Sequence, residues 1–135
     1  MNRPTSEDYI FYQGEKFQIE FYFTEKWELP AKEYFDSLEQ KVKTKLLALV
    51  KYIAEHGRLF DETKFRIVDK KENIFEFKPM AERFFNFFSE GKKIIITNAY
   101  RKKGQKVDRR ALATAIHFKR NYELRIRGGV YYETQ

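Results

Sequence analysis

The sequence predicts a compact α+β domain, and three patterns carry that prediction. Two strand-like runs, Tyr9-Ile10-Phe11-Tyr12 and Phe17 to Phe23, come first; apolar residues then recur at three and four residues from Pro30 to about Glu55. A second strand-rich stretch from Ile74 to Asn98 leads into a final helical pattern after Asp108. With 135 residues, 42% hydrophobic and 18% aromatic, the chain suits one domain over residues 1–135 with one buried core.

Residues 1–8 read as a loose polar arm. The two runs after it flank a turn containing Gly14, and the second alternates, with Phe17, Ile19, Phe21 and Phe23 expected on one buried face. Pro30 opens the helical stretch, Phe35, Leu38, Val42, Leu46, Leu49 and Ile53 form its core stripe, and Gly57 closes it. The stretch reads equally as one long helix or as two helices bent near Ser37 to Gln40. Residues 58–73 are polar and irregular, with a short strand at Phe65 to Val68. A meander follows: Ile74 to Lys78, Glu82 to Phe88 and Ile94 to Asn98, with a tight turn at Pro79 to Ala81 and a looser one at Ser89 to Lys92. Ile94-Ile95-Ile96 does not alternate, as expected of a central strand covered on both faces. Arg83 shares a face with Phe85 and Phe87, which fits a strand-end arginine with its head in water. Asp108 reads as the N-cap of a helix to about Glu123 that buries Leu112, Ala115, Ile116 and Tyr122, with Arg109, Arg110, Lys119 and Arg120 toward solvent. Gly128-Gly129 then precedes Val130-Tyr131-Tyr132, a candidate edge strand.

Charge is segregated along this framework. Between Lys92 and Arg127 stand twelve Lys and Arg against Asp108 and Glu123, a local +10 in a chain of +7. Folding does not require this, and the interleaved Tyr100, His117, Phe118 and Tyr122 suggest a footprint for a polyanion. Solvated surface is the plainer alternative for a lysine-rich turn. The absence of cysteine excludes disulfides, thiolate nucleophiles and Cys-based zinc sites, and His56 and His117 are too few for a histidine metal cluster, so no metal or other cofactor is expected. The N-terminus lacks a signal peptide's apolar stretch and no apolar run approaches bilayer length, so a soluble, cytoplasmic protein with no membrane partner is expected.

The loop Tyr100-Arg101-Lys102-Lys103-Gly104-Gln105-Lys106, together with Lys78 and Arg83, is the candidate site, because adjacent antiparallel strands bring their ends to one sheet edge. Clustered cations bind phosphate oxygens and depress the pKa of a neighbouring lysine. RNA cleavage by its own 2'-hydroxyl needs a proton acceptor, a stabiliser for the phosphorane and a proton donor at the leaving oxygen. Lysines and an arginine can fill these roles without histidine, and Tyr100 can stack on a base or orient a phosphate.

At these residues the chain resembles the RelE/HigB-type toxins of bacterial type II toxin–antitoxin systems, in their phage-derived branch. The similarity lies in Phe21-Tyr22-Phe23-Thr24-Glu25, Pro30 to Leu38, Glu76-Phe77-Lys78, Arg83 to Phe88 and Tyr100 to Lys106, in order across residues 17–123. The resemblance implies a compact RelE-like α+β fold: a twisted antiparallel sheet packed against N-terminal helices, with a C-terminal helix nearby. It implies an endoribonuclease (an mRNA interferase) acting on mRNA, often on the ribosome, and silenced by a cognate helix-turn-helix antitoxin. Arg83, Lys102 and Lys103 then stand as the catalytic candidates, and Lys78, Tyr100, Arg101, Lys106, Arg109 and Arg110 as RNA-binding ones. Lys78 stands where the branch has arginine and Asp108 where it has proline, and no histidine matches the catalytic histidines of some relatives. A ParE-like gyrase inhibitor and a catalytically silent RNA-binding module are the alternatives.

Overall fold

In the computed structural model, which describes residues 2–132, a six-stranded sheet separates two helical layers. The elements run α1 (Ser6–Tyr9), β1 (Ile10–Gln13), β2 (Gln18–Phe21), α2 (Pro30–Asp36), α3 (Gln40–His56), β3 (Phe65–Asp69), β4 (Ile74–Phe77), β5 (Glu82–Ser89), β6 (Lys93–Arg101) and α4 (Arg109–Arg127). The sheet order is β1-β2-β6-β5-β4-β3. The α+β class, the N-terminal helices and the C-terminal helix are as expected. One junction differs from an all-antiparallel sheet: β2 lies parallel to β6, from Gln18 opposite Lys93 to Phe21 opposite Ile96.

Helices α2 and α3 cover one face, where Ile19, Phe21, Leu46, Val50, Ile53, Phe77, Phe84, Ile94 and Ile96 are buried. Helix α4 covers the other, its Ala115 and Tyr122 packing over Ile74, Phe85, Phe87 and Ile95. The three isoleucines of β6 thus serve both cores, which is why that run shows no alternation. The helical stretch from Pro30 resolves into two helices. Ser37 turns its hydroxyl back onto the Tyr34 carbonyl at 2.6 Å, offering the backbone an alternative to continued helix, and Glu39 becomes the N-cap residue of α3. Gly57 ends α3 at φ 84°, the left-handed conformation that glycine adopts without cost. The β1–β2 turn then docks on this helix end, Lys16 and Phe17 both donating backbone N–H to the Ala54 carbonyl.

Four expectations change. Phe23 lies beyond the end of β2, so it leaves the face of Ile19 and Phe21 and joins Tyr22 in the α4 core. Residues 2–8 are anchored: Asp8 and Thr5 form a capping box, and Arg3 donates to the Val130 and Tyr131 carbonyls. Residues 130–132 add no edge strand; Tyr131 instead buries its ring against Phe23, and its hydroxyl oxygen accepts from the Phe23 backbone N–H at 2.9 Å. Helix α4 runs on to Arg127, and its Arg125 is buried, donating to the Phe23 carbonyl at 2.7 Å and lying over the Tyr131 ring. None of the described helices is long and apolar enough to cross a membrane.

Candidate functional site

The meander places the ends of three strands together, as their antiparallel pairing requires. Arg83 near the start of β5 lies opposite Tyr100 near the end of β6, and the next residue beyond β4 is Lys78. The Lys102 backbone N–H donates to the Ala81 carbonyl at 2.8 Å, tying the basic loop to the β4–β5 turn.

A shift in strand register decides which side chains meet. Phe84 pairs with Ala99 but Asn86 pairs with Ile96, so three steps along β6 match two along β5. This bulge reverses the alternation of β6. Ile95 and Tyr100, which strict alternation would place on opposite faces, both lie on the α4 side. Tyr100 stacks on Phe85 with ring centroids 5.4 Å apart, and Lys102 follows on that side next to Arg83.

The result is a polar hollow of about 70 Å³ lined by Arg66, Lys78, Arg83, Tyr100, Lys102 and the loop through Lys106. Of the residues expected from sequence, it brings together Arg83, Lys102, Lys78, Tyr100 and Lys106. Lys103 and Arg101 line an adjoining groove of about 350 Å³ with Tyr100, Lys106 and Asp108, so the paired lysines serve different walls. Arg109 and Arg110 are exposed on the first turn of α4 and line neither hollow. A larger concavity, of about 780 Å³, lies against α3 and the 58–64 loop and contains none of these residues.

Arg83 is not a strand-end cation with its head in water. It is 7% exposed, and its Nη1 donates to the Met80 and Glu82 carbonyls, both at 2.8 Å. The guanidinium therefore braces the β4–β5 turn while lining the hollow. Burial holds the Lys78 ammonium below its ordinary pKa, and repulsion from Arg66, Arg83 and Lys102 adds to that shift, with Glu76 opposing it. Lys78 Nζ also donates to the Glu62 carbonyl at 3.1 Å. Burial, reinforced by the Glu76 charge, raises the Tyr100 phenol, so it stays protonated and able to donate at neutral pH.

Two residues of this region are absent from the expected site. Arg66 lies on β3, the short strand expected at Phe65 to Val68, and Glu76, its partner across the β3–β4 pair, sits between two phenylalanines of a strand. Arg66 Nε donates to Glu76 Oε2 at 2.8 Å. A carboxylate interrupting an apolar run was the available sign, because a charge there must find a buried partner.

The basic block is also less free than its sequence suggests. Arg101 pairs with Glu82 at 2.7 Å, Arg120 with Glu72 at 2.6 Å and Lys93 with Glu20 at 3.7 Å, all acids from the earlier part of the chain. Arg125 is committed to backbone carbonyls. Among the described residues, Lys102, Lys103 and Lys106 of the loop keep their charge without an ion pair, as do Arg109 and Arg110 on the first turn of α4.

The fold and site thus define a small α+β sheet protein with a cationic hollow at the end of its meander. Residues 33–120, well over half the chain, match the family model described as phage-derived protein Gp49-like (DUF891). The chain belongs to this Gp49-like family, which is part of the RelE/HigB-type toxin superfamily. No curated protein matches it.

Proposed function

We propose that this chain is the toxin of a type II toxin–antitoxin pair and acts in the cytoplasm as an mRNA endoribonuclease, with the hollow as its phosphate site. The observation that supports this reading most is the convergence of Arg83, Lys78 and Lys102 on a hollow the size of one phosphate group. In the proposed reaction the RNA 2'-oxygen attacks phosphorus, the P–O5' bond breaks, and a 2',3'-cyclic phosphate and a 5'-hydroxyl result. Lys78, with its lowered pKa, accepts the 2'-hydroxyl proton from its neutral form. Arg83 and Lys102 stabilise the phosphorane charge, and a lysine of the loop returns a proton to the departing 5'-oxygen. Tyr100 and the groove containing Lys103 receive the adjacent nucleotide. The antitoxin partner would cover the same surface with an acidic or amphipathic segment.

The test compares Lys102→Ala with Lys70→Ala/Lys71→Ala, whose lysines do not line the hollow. Purified proteins are assayed on mRNA with and without ribosomes, with products mapped by primer extension. The Lys102 variant should lose about two orders of magnitude in cleavage rate, the effect of removing one transition-state donor. The double variant should cleave as the parent does. Absence of cleavage by the parent under both conditions, or equal cleavage by parent and Lys102→Ala, overturns the proposal.

A further inference from the structure

The hollow contains one cation that this reaction leaves without a role, and beneath it lies a carboxylate that a purely structural sheet does not need. Arg66 lines the hollow with a side chain 36% exposed, while Glu76 is 0% exposed. Glu76 Oε2 accepts from Arg66 Nε, and Oε1 has no hydrogen-bond partner among the described residues. No other partner engages the Arg66 guanidinium among those residues, so its Nη groups are available to a ligand. Removing a carboxylate from water costs several kcal/mol unless its partners repay it, and an apolar pair usually serves stability better. A buried acid with one unmatched oxygen is thus better explained by what it does to Arg66.

We propose that Arg66 is a further phosphate-binding arm of the hollow, and that Glu76 is the positioning residue that aims it. The inference rests on reading the hollow as a phosphate site. Complete burial keeps Glu76 from touching RNA, so its action passes through Arg66. Anchoring at Nε fixes the plane of the guanidinium and presents the Nη edge, the fork geometry suited to two phosphate oxygens. The negative charge also offsets repulsion among Arg66, Lys78, Arg83 and Lys102, which lets four cations share one small space before an anion arrives. This gives a sign that charge alone would not. Glu76→Gln makes the site more positive, which in a purely electrostatic site tightens anion binding; in a positioned site, binding weakens because the charge-assisted bond that anchors Arg66 Nε becomes a weaker, neutral one.

The experiment measures binding of a 2'-O-methyl RNA oligomer, which cannot be cleaved by this route, across a salt series. The proteins are the parent, Arg66→Ala, Arg66→Lys and Glu76→Gln. Arg66→Ala should weaken binding about five- to tenfold at physiological salt and reduce the salt slope by about one contact, with Arg66→Lys restoring the slope but not the full affinity. Glu76→Gln should weaken binding despite its added positive charge. In parallel, inorganic phosphate is titrated while the Arg66 Nε–H resonance is followed by NMR; the resonance should shift in the parent and much less in Glu76→Gln. An unmoved Arg66 resonance, an unchanged slope in Arg66→Ala, or tighter binding by Glu76→Gln overturns the inference. Arg66→Lys, which keeps a cation beside Glu76, and the phosphate titration of the parent keep the test valid even if Glu76→Gln or Arg66→Ala fails to fold. A parent that passes these binding tests but cuts no RNA removes the ribonuclease reading and leaves this inference standing.

Discussion

Replacing Arg83 with alanine should damage the fold and the proposed chemistry by separable amounts. The structure supplies the terms for the fold. Arg83 donates to the carbonyl of Met80, in the turn before its strand, and to that of Glu82, the first residue of the strand, at 2.8 Å each. Met80 is exposed and its carbonyl can turn to water, whereas the bond to Glu82 is buried. One charge-assisted bond is therefore lost without replacement, worth about 1.5–3 kcal/mol. Relief of cation repulsion with Lys78 returns part of this, leaving a net cost of about 2 kcal/mol. For a chain of this length the unfolding entropy is roughly 0.28 kcal/mol per kelvin, so the melting temperature should fall by about 7 °C. Calorimetry measures that shift directly. Cleavage is then compared at a temperature about 20 °C below the variant's own midpoint, where both proteins are folded, and the variant should be slower by about two orders of magnitude. A fall of less than about 2 °C would refute the hydrogen-bond reasoning. Equal rates in two folded proteins would remove Arg83 from the reaction.

Other expectations follow from single contacts. Gly14→Ala places a Cβ 2.5 Å from both the Cβ and the carbonyl oxygen of Ala54, so the β1–β2 turn must lift from α3, costing about 1–3 kcal/mol in a urea titration. Glu55 accepts from the Tyr12 hydroxyl and the Glu15 backbone N–H, which hold its carboxyl below the ordinary value of 4.5. Because the folded value is the lower one, its stabilisation is complete above about pH 4.5 and is lost as pH falls through the folded value; the gap in urea midpoint between parent and Glu55→Gln should narrow between pH 7 and pH 3. Asp108 caps α4 by accepting from the Ala111 N–H at 2.9 Å, so Asp108→Ala should cost about 1 kcal/mol, while Asp108→Asn keeps the cap and tightens RNA binding in a filter assay by removing a negative charge beside the loop.

What the sequence revealed, and what it hid, follows from the range of each interaction. The α3 stripe, the central isoleucines, the Asp108 cap and the approach of Lys78, Arg83 and Lys102 are written in local periodicity or in simple strand reversal. The break between α2 and α3 depends on the choice made by one serine hydroxyl, and propensity leaves it open. The bulge in β6 has no marker: no glycine or proline stands at Thr97-Asn98, yet it determines that Tyr100 faces Arg83. The +10 block makes less free surface than its charge suggests, because sequence charge says nothing of distant partners: Glu72 stands 48 residues from Arg120, and the Phe23 carbonyl 102 from Arg125. Burial of Arg83 was missed for a related reason, since its acceptors are backbone carbonyls, which the sequence does not display.

The parallel pairing of β2 with β6 also sets an order of assembly. Gln18 finds its neighbour only at Lys93, 75 residues later, whereas β4, β5 and β6 pair through short turns. During synthesis at ~5–20 residues per second, the β1–β2 hairpin therefore waits about 4–15 s with one edge unsatisfied. Closing so long a loop is the entropically costly step, so once β6 and its loop are made the meander that forms the hollow, joined by short turns, should close first. A nascent chain would thus carry a nearly complete set of phosphate-site strands before its sheet is closed, and the seam between β2 and β6 is where folding of this protein should be slowest.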